Sequence, residues 1–317
     1  MAESPKFSFI VPLYNECEIF PDLKNRLNAL MNKIDGTCEV VLVDDGSNDL
    51  TPAFMEETGY SDKRYQCVFL SRNFGHQFAV SAGLEFALGD YIMVIDGDLQ
   101  DPPELFFDFY RKIAEGFDVV YGIRKKRKEG VLKRLAYYLF YRILRGVSSY
   151  TIPLDSGDFA MITKRVAKIL VKMPEQSRFL RGIRSWVGFR QTGIEYERDA
   201  RGAGDSKYSL WKLIKLGSDG VFNFSTFPIK LFTVIGIGCI CSAVLYFLYT
   251  MLRKIIYHDV PAGFPALLFM VILFGGIQLL SIGVIGEYVQ RIFLQVKSRP
   301  LYIVSKRIEN GEEITEF

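Results

Sequence analysis

An α/β protein with a mostly parallel sheet, followed by a hairpin of two membrane-spanning helices, is the architecture this sequence predicts. Three observations predict it. Residues 6–125 alternate short apolar runs with helical stretches, the pattern of a parallel sheet covered by helices on both faces. Two long apolar stretches without formal charge, Leu231–Leu252 and Phe264–Gly286, lie toward the C-terminus. Mean hydropathy is +0.14 and 49% of residues are hydrophobic, high for a water-soluble chain. A length of 317 residues accommodates one large domain with an appendage, or two modest domains.

The elements follow in order. "FSFIVPLYN" reads as a strand, then a helix near 18–34, "CEVVLVDDGS", a helix near 49–58, "QCVFLSRN", a helix near 76–88, "YIMVID", a helix near 103–115, and "DVVYGIR". Ligands of such open sheets bind beyond the carboxyl ends of the strands. Those ends carry Tyr14-Asn15-Glu16, Asp44-Asp45-Gly46-Ser47, Ser71-Arg72-Asn73, Asp96–Asp98 and Gly122–Arg124, so one site is expected to collect them.

A basic segment, "RKKRKEG", leads into residues 131–147, where Leu132, Leu135, Leu139, Ile143 and Val147 share a helical face. A soluble core helix gives the same stripe. Basic and tyrosine-rich flanks are what a helix lying in the membrane interface requires. A second amphipathic segment, 208–222, runs into the first apolar stretch. The two stretches hold 22 and 23 residues, and at about 1.5 Å per residue either crosses roughly 30 Å of hydrocarbon. Some eleven residues join them, which forces a hairpin. Lys207, Lys212, Lys215 and Lys230 precede it, and Arg291, Lys297, Arg299, Lys306 and Arg307 follow it. That bias predicts a multi-pass protein of the inner (plasma) membrane, with both termini and the N-terminal domain cytoplasmic. The start, "MAESPKFSFIVPLYNE", lacks the apolar core of a cleavable signal peptide. The expected domains are 1–208, a juxtamembrane segment 209–228, a hairpin 229–290 (helices at about 229–252 and 264–287) and a cytoplasmic tail 291–317.

Several chemistries are excluded. None of the five cysteines forms a C-x-x-C pair, which fits a reduced compartment and no structural zinc. A net charge of +3 is too small for a nucleic-acid binder. With two histidines, His76 and His258, a Ser–His–Asp or Cys–His site is not expected; a structural hydrogen bond is the expected role of His76. The phosphate cradles G-x-x-x-x-G-K-[ST] and G-x-G-x-x-G after a strand are both missing.

What remains is acid. "DYIMVIDGDLQDPPE" runs from a buried strand into Asp96, Asp98, Gln100 and Asp101. Carboxylates crowded at an apolar strand end are costly without a positive partner. Asp96, Asp98 and Gln100 make an oxygen-only ligand set for Mg²⁺ or Mn²⁺, metals that share their coordination with phosphate oxygens. A turn of solvated acids is the plainer alternative. "VVLVDDGS" repeats the theme: a carboxylate there can accept a nucleobase imide, or Ser47 or Asp49 can cap the next helix.

The set "FIVPLYNE", "VVLVDDGS", "LSRNFGHQFAVSAGL", "YIMVIDGDLQDPPE", "LDSGDFAMI" and "ARGAGDSKYSLWKL", followed by the hairpin, resembles the polyisoprenyl-phosphate glycosyltransferases. These are inverting, GT-A fold enzymes of glycosyltransferase family 2, and include dolichyl-phosphate mannose synthases and bactoprenol (undecaprenyl-phosphate) glucosyltransferases. The resemblance spans about residues 6–303 and is closest to the bactoprenol branch through "STFP" and "GVIGEYVQRIF". It implies that Pro12, Tyr14, Glu16 and Asp45, with Arg72 beside them, hold the nucleotide, and that Asp96, Asp98 and Gln100 hold the metal on the donor diphosphate. It implies Asp158 and Asp98 as catalytic residues, and Arg201, Ser206 and Lys207 as a segment closing over the phosphates. Ala160 departs from the pattern, since bactoprenol members often carry arginine there; Arg124 or Arg127 is expected to contact the acceptor phosphate instead.

The implied reaction moves one sugar from a nucleotide-sugar, UDP-glucose by preference, to undecaprenyl phosphate, for later glycan or lipopolysaccharide (O-antigen) modification. Basic residues of 124–145 can hold that lipid's phosphate or serve as a general anchor to acidic lipids. Mannosyl or aminoarabinosyl transfer to the same lipid is the alternative within the class. A processive polymer synthase lacks its Q-x-x-R-W motif here, and a non-catalytic sugar-nucleotide sensor leaves the acids unexplained. A homo-oligomer is expected, because two spans alone offer little membrane contact.

Overall fold

The computed structural model describes residues 4–124, 156–176, 178–197, 227–257 and 263–314. The helix expected at 131–147, the segment 208–222, and the candidates Arg127, Arg201, Ser206 and Lys207 lie outside the described residues. The chain forms two compact units. One gathers the N-terminal residues through Glu197 together with Ser298–Ile314, and the other holds the two long apolar helices.

In the first unit the expected alternation appears: β1 (Phe7–Leu13), α1 (Phe20–Met31), β2 (Cys38–Asp44), α2 (Thr51–Ser61), β3 (Tyr65–Leu70), α3 (His76–Phe86), β4 (Tyr91–Val94), α4 (Phe106–Ala114) and β5 (Val119–Arg124). There follow β6 (Ser156–Thr163), α5 (Lys164–Lys172), α6 (Leu180–Trp186) and β7 (Gln191–Tyr196), and after the hairpin β8 (Val304–Glu309) and β9 (Glu312–Ile314). All seven residues of β1 are buried, because a strand covered on both faces shows no polar alternation. Pro12, which has no N–H to give the ladder, falls beyond the last β1–β4 pair, Ile10 with Val94. In α1, Phe20, Leu23, Leu27, Leu30 and Met31 are buried, a single stripe at helical spacing. Each large core side chain contributes about 1.5–3 kcal/mol relative to exposure, and Phe7, Phe9, Tyr65, Phe106, Phe109 and Phe159 are all fully buried.

The sheet order is β7-β5-β6-β4-β1-β2-β3-β8-β9. Its centre, β4-β1-β2-β3, is parallel, whereas β6 and β8 run antiparallel to the strands they flank. This positions the site. Antiparallel pairing of Val94 with Ala160 carries the start of β6, with Asp158, toward the end of β4, with Asp96. Parallel pairing of Arg124 with Tyr196 holds the last residues of β5 and β7 side by side.

The second unit consists of α7 (Phe227–Tyr257) and α8 (Phe264–Val296), of 31 and 33 residues. Spans of 26 and 27 residues within them, Leu231–Ile256 and Met270–Val296, are long and apolar enough to cross a membrane. Their apolar side chains point outward, with Leu245 at 67% and Leu279 at 72% exposure. That is the reverse of a soluble core helix, and the pair fits a transmembrane hairpin. Both helices outrun the expected ends. α7 continues through Arg253 and Lys254, cations that suit a helix C-terminus. In α8 the Glu287–Arg291 pair at 2.7 Å, one turn apart, allows charge inside a continuing helix.

Candidate active site

The carboxyl ends of β1, β2, β3 and β4 supply two neighbourhoods. At the β2–β3 side, an open cavity of about 540 Å³ is lined by Tyr14, Asp44, Gly46–Asn48, Glu56, Phe69–Asn73, Ser305 and Lys306. Gly46 makes it possible: its φ is +68°, and a Cβ there would sit 2.4 Å from the Arg72 carbonyl carbon and 2.5 Å from the Asn73 nitrogen. The loops after β2 and β3 can approach this closely where no side chain intervenes. Ser47 accepts the Asn15 N–H at 2.9 Å, and Asp49 accepts those of Thr51 at 2.9 Å and Cys17 at 3.2 Å. These bonds fix the loop against the end of β1.

Asp44 and Asp45 have different surroundings. Asp44 lines the cavity and accepts the Ser47 N–H. Asp45 is buried, and its carboxylate accepts the N–H groups of Phe74 at 2.7 Å and Gly75 at 2.9 Å. Burial raises both carboxyls above the usual range, and their hydrogen bonds offset this only in part. Among the other nucleotide candidates, Tyr14 is exposed at the cavity and Pro12 is buried within β1. Glu16 follows the same turn, its N–H donated to Thr51 Oγ1 at 2.9 Å. Arg72 lines the cavity, its guanidinium 4.0 Å above the Phe74 ring.

The second neighbourhood is charged. His76, the first residue of α3, places Nε2 3.6 Å from Asp96 Oδ1 and 3.5 Å from Asp158 Oδ2. Asp158 also accepts Gln77 Nε2 at 2.7 Å and Arg181 Nε at 3.2 Å. Arg124 Nη2 lies 3.3 Å from Asp101 and 4.0 Å from Asp96. Tyr196 donates a short hydrogen bond to Asp101 and accepts Arg124 Nε at 3.3 Å. Asp98 Oδ1 accepts the Gln100 N–H at 3.2 Å, across a turn in which Leu99 takes φ +54°.

The electrostatics follow from the packing. Burial lifts Asp96 to about 6; His76 opposes this, while Asp101, Asp158 and Asp98 add repulsion. Asp158 is buried too, yet Arg181 and His76 hold it well below the usual carboxylate range. Desolvation depresses His76, but its hydrogen bond to Asp158 and the charges of Asp96 and Asp158 prevail and raise it to about 9. At neutral pH the histidine is therefore a cation between two acids. Arg184, buried behind them and donating to the Gly157 carbonyl at 3.2 Å, is lowered to about 10 by desolvation.

The structure thus gathers Asp96, Asp158 and Arg124 from three strands, and Tyr14, Asp44 and Arg72 around the cavity. His76, Gln77, Arg181, Asp101 and Tyr196 complete the charged neighbourhood; the sequence reading placed Asp101 in the acid cluster and expected a structural hydrogen bond of His76, but gave Gln77, Arg181 and Tyr196 no role in it. A signal existed for Arg181: "RFLRGIRSW" puts it one helical turn from Arg184. Among the described residues no cluster of three or more His, Cys, Asp or Glu stands ready as a complete metal cage. Asp96, Asp98 and Gln100 do fit a hard divalent ion by donor chemistry. Mg²⁺ typically takes one or two protein carboxylates and completes its shell with phosphate and water, and repulsion among the acids around Asp96 is what a cation relieves.

The family model for glycosyl transferase family 2 matches residues 8–170. The chain is 42% identical over 313 residues to the uncharacterized glycosyltransferase YkcC of Bacillus subtilis, covering 98% of this chain and 97% of that one. It is 37% identical over 302 residues to the prophage bactoprenol glucosyl transferase homolog of Escherichia coli, at 95% and 99% coverage. It is 36% identical over 302 residues to the SfII prophage-derived bactoprenol glucosyl transferase of Shigella flexneri, at 95% and 98%. The fold and the family match define the class first, a glycosyltransferase on a GT-A sheet. Within that class, the chain belongs to glycosyl transferase family 2.

Proposed function

We propose that this glycosyltransferase transfers a single sugar, with inversion, from a nucleotide-sugar to undecaprenyl phosphate at the cytoplasmic face of the membrane, and that UDP-glucose is the donor. The observation that carries the reading is the convergence of Asp96, Asp158, Arg124 and His76 at the strand ends, one or two strands from the cavity lined by Asp44 and Tyr14. A pair of membrane-length apolar helices supports a lipid acceptor. Relatives named bactoprenol glucosyl transferase support both the lipid and the glucose. The cytoplasmic placement rests on the basic residues flanking the hairpin.

In this reading the nucleoside occupies the cavity, with Tyr14 and Arg72 at its mouth. The diphosphate lies toward Asp96, Asp98 and Gln100, which would hold Mg²⁺ or Mn²⁺. Such an ion neutralises charge on the departing diphosphate. The remaining work belongs to the chain's own cations. Arg124, held by Asp101 and Tyr196, offers a fixed guanidinium to a phosphate, a pre-set electrostatic contact that needs no reorganisation during reaction. Arg201, Ser206 and Lys207 are assigned to closure over the diphosphate, and Arg127 to the acceptor phosphate. A phosphate monoester with a second pKa of about 6 is largely dianionic at neutral pH, so the acceptor needs no base. Asp158, already engaged by Arg181, Gln77 and His76, is assigned to orienting those groups.

The test supplies purified protein in detergent with Mg²⁺ or Mn²⁺ and undecaprenyl phosphate. UDP-glucose, UDP-galactose and GDP-mannose are offered separately, and the lipid product is read by mass spectrometry. Hexosyl-phosphoryl lipid from UDP-glucose, lost in Asp98→Ala, is the expected result. Product from GDP-mannose instead would transfer the assignment to mannose. No product from any donor, despite nucleotide binding, would overturn the transfer reading in favour of a sensor.

A further inference from the structure

Seven residues separate the end of α8 from strand β8, and two side chains of β8 line the same cavity as Asp44 and Tyr14. The antiparallel β3–β8 ladder shifts register between Phe69 and Leu70, whose partners are Lys306 and Val304. Ser305 is the extra residue, and a bulge of this kind re-aims the side chains around it. The Ser305 hydroxyl donates to the Phe69 carbonyl at 3.0 Å, which pins the bulge to the cavity wall. Lys306 Nζ is tethered at 3.1 Å to Glu56 and 3.2 Å to Glu313, near the rings of Tyr60 and Phe69. An ammonium has three N–H donors, so two tethers leave one in a restricted direction. In the same cavity Asp44 is an acceptor. A donor and an acceptor lining one cavity suit a base edge that presents a carbonyl beside a ring N–H. Uracil and guanine carry that edge; adenine and cytosine present an amino group beside a bare ring nitrogen.

We infer that β8 supplies a base-reading wall of the donor site, with Lys306 donating to the base carbonyl, Ser305 fixing the bulge that aims it, and Asp44 accepting the neighbouring ring N–H. The site then selects nucleoside diphosphates whose base sets a carbonyl beside a ring N–H. This rests on the nucleotide-sugar reading above.

The test is calorimetric binding of UDP, GDP, ADP and CDP to the full-length protein in detergent with Mg²⁺. The wild type is expected to bind UDP or GDP at least about ten-fold more tightly than ADP and CDP. Lys306→Met, which keeps the stem and removes the donors, is expected to shrink that preference to below about three-fold, and Lys306→Arg to restore part of it. Glu313→Gln breaks one tether without lining the cavity and keeps the preference. An unchanged preference in Lys306→Met, with UDP binding weakened in Asp44→Asn, would overturn the inference and leave the donor reading standing. Equal losses in Glu313→Gln and Lys306→Met would reduce Lys306 to a structural role and overturn it as well. A wild type that binds no nucleoside diphosphate would bring down the donor reading and this inference with it.

Discussion

Two strand ends carry nearly the same word: "VLVDDGS" after β2 and "MVIDGDL" after β4. Each is an apolar strand closing in paired acids and a glycine, yet the protein treats them differently. After β2, Asp45 spends its carboxylate on the backbone of Phe74 and Gly75, and the acid serves the architecture. After β4, Asp96 faces His76 and Arg124 and is surrounded by other acids. The difference lies in what the next element offers. The loop after β3 brings N–H groups, which a buried carboxylate satisfies locally. The start of β6 brings another carboxylate, which only cations can balance. Like motifs at a sheet edge therefore have no common role until the neighbouring strand is known.

That contrast can be broken experimentally. The largest effect is expected from Asp96→Asn, which keeps the shape and removes the charge. Sugar transfer should fall about 1,000-fold or more in kcat/KM, about 4 kcal/mol of transition-state stabilisation, while the melting temperature stays within a few degrees. A mutant that melts far earlier but turns over normally would place Asp96 with Asp45.

Gly46→Ala comes next and acts on stability. A φ of +68° costs an L-residue about 1–2 kcal/mol, and overlap with the Arg72 and Asn73 backbone adds to it. A total near 3 kcal/mol, with nucleotide affinity reduced in parallel, is expected from denaturant titration and UDP binding. Asp45→Asn should cost about 1.5–3 kcal/mol, the range for hydrogen bonds to a charged group. Its transfer rate should fall less than that of Asp96→Asn, and a loss equal to that of Asp96→Asn with full stability would erase the distinction between the two strand ends. The smallest effect is assigned to His76→Gln, which removes a cation from between Asp96 and Asp158. Transfer should drop about ten-fold, or about 1.4 kcal/mol, with UDP affinity within about three-fold of wild type. A larger loss of UDP affinity than of turnover would move His76 from the reacting end to the nucleotide end.

The same contrast explains what the sequence disclosed. β1 to β5 were legible because each buried strand is a short apolar run closed by polar residues, a local signal. The two apolar helices were legible by length alone. The meeting of Asp96 with Asp158 was not, since it depends on β6 inserting antiparallel beside β4, and nothing in "SGDFAMI" states a partner. Nor was the choice between Asp44 and Asp45: both are 3% exposed, and the N–H groups of Phe74 and Gly75, brought from the loop after β3, take up Asp45 while Asp44 lines the cavity. β8 had no local signature at all. "VSKRIE" mixes Lys306 and Ile308 on one alternation, because one end of it faces an open cavity and the other the core.

The bond from Ser305 to Phe69 joins residues 236 positions apart, and this has a consequence for how the protein is made. At about 5–20 residues per second, the ribosome needs on the order of 10–50 s after finishing β3 before β8 exists. Through that interval the parallel core stands with β3 as a bare edge, a template for unwanted pairing, while the apolar hairpin is itself still being synthesised. Completion of the sheet thus reports that the hairpin has been synthesised. A chain stopped short of residue 304 would lack both its edge strand and part of the wall of its cavity.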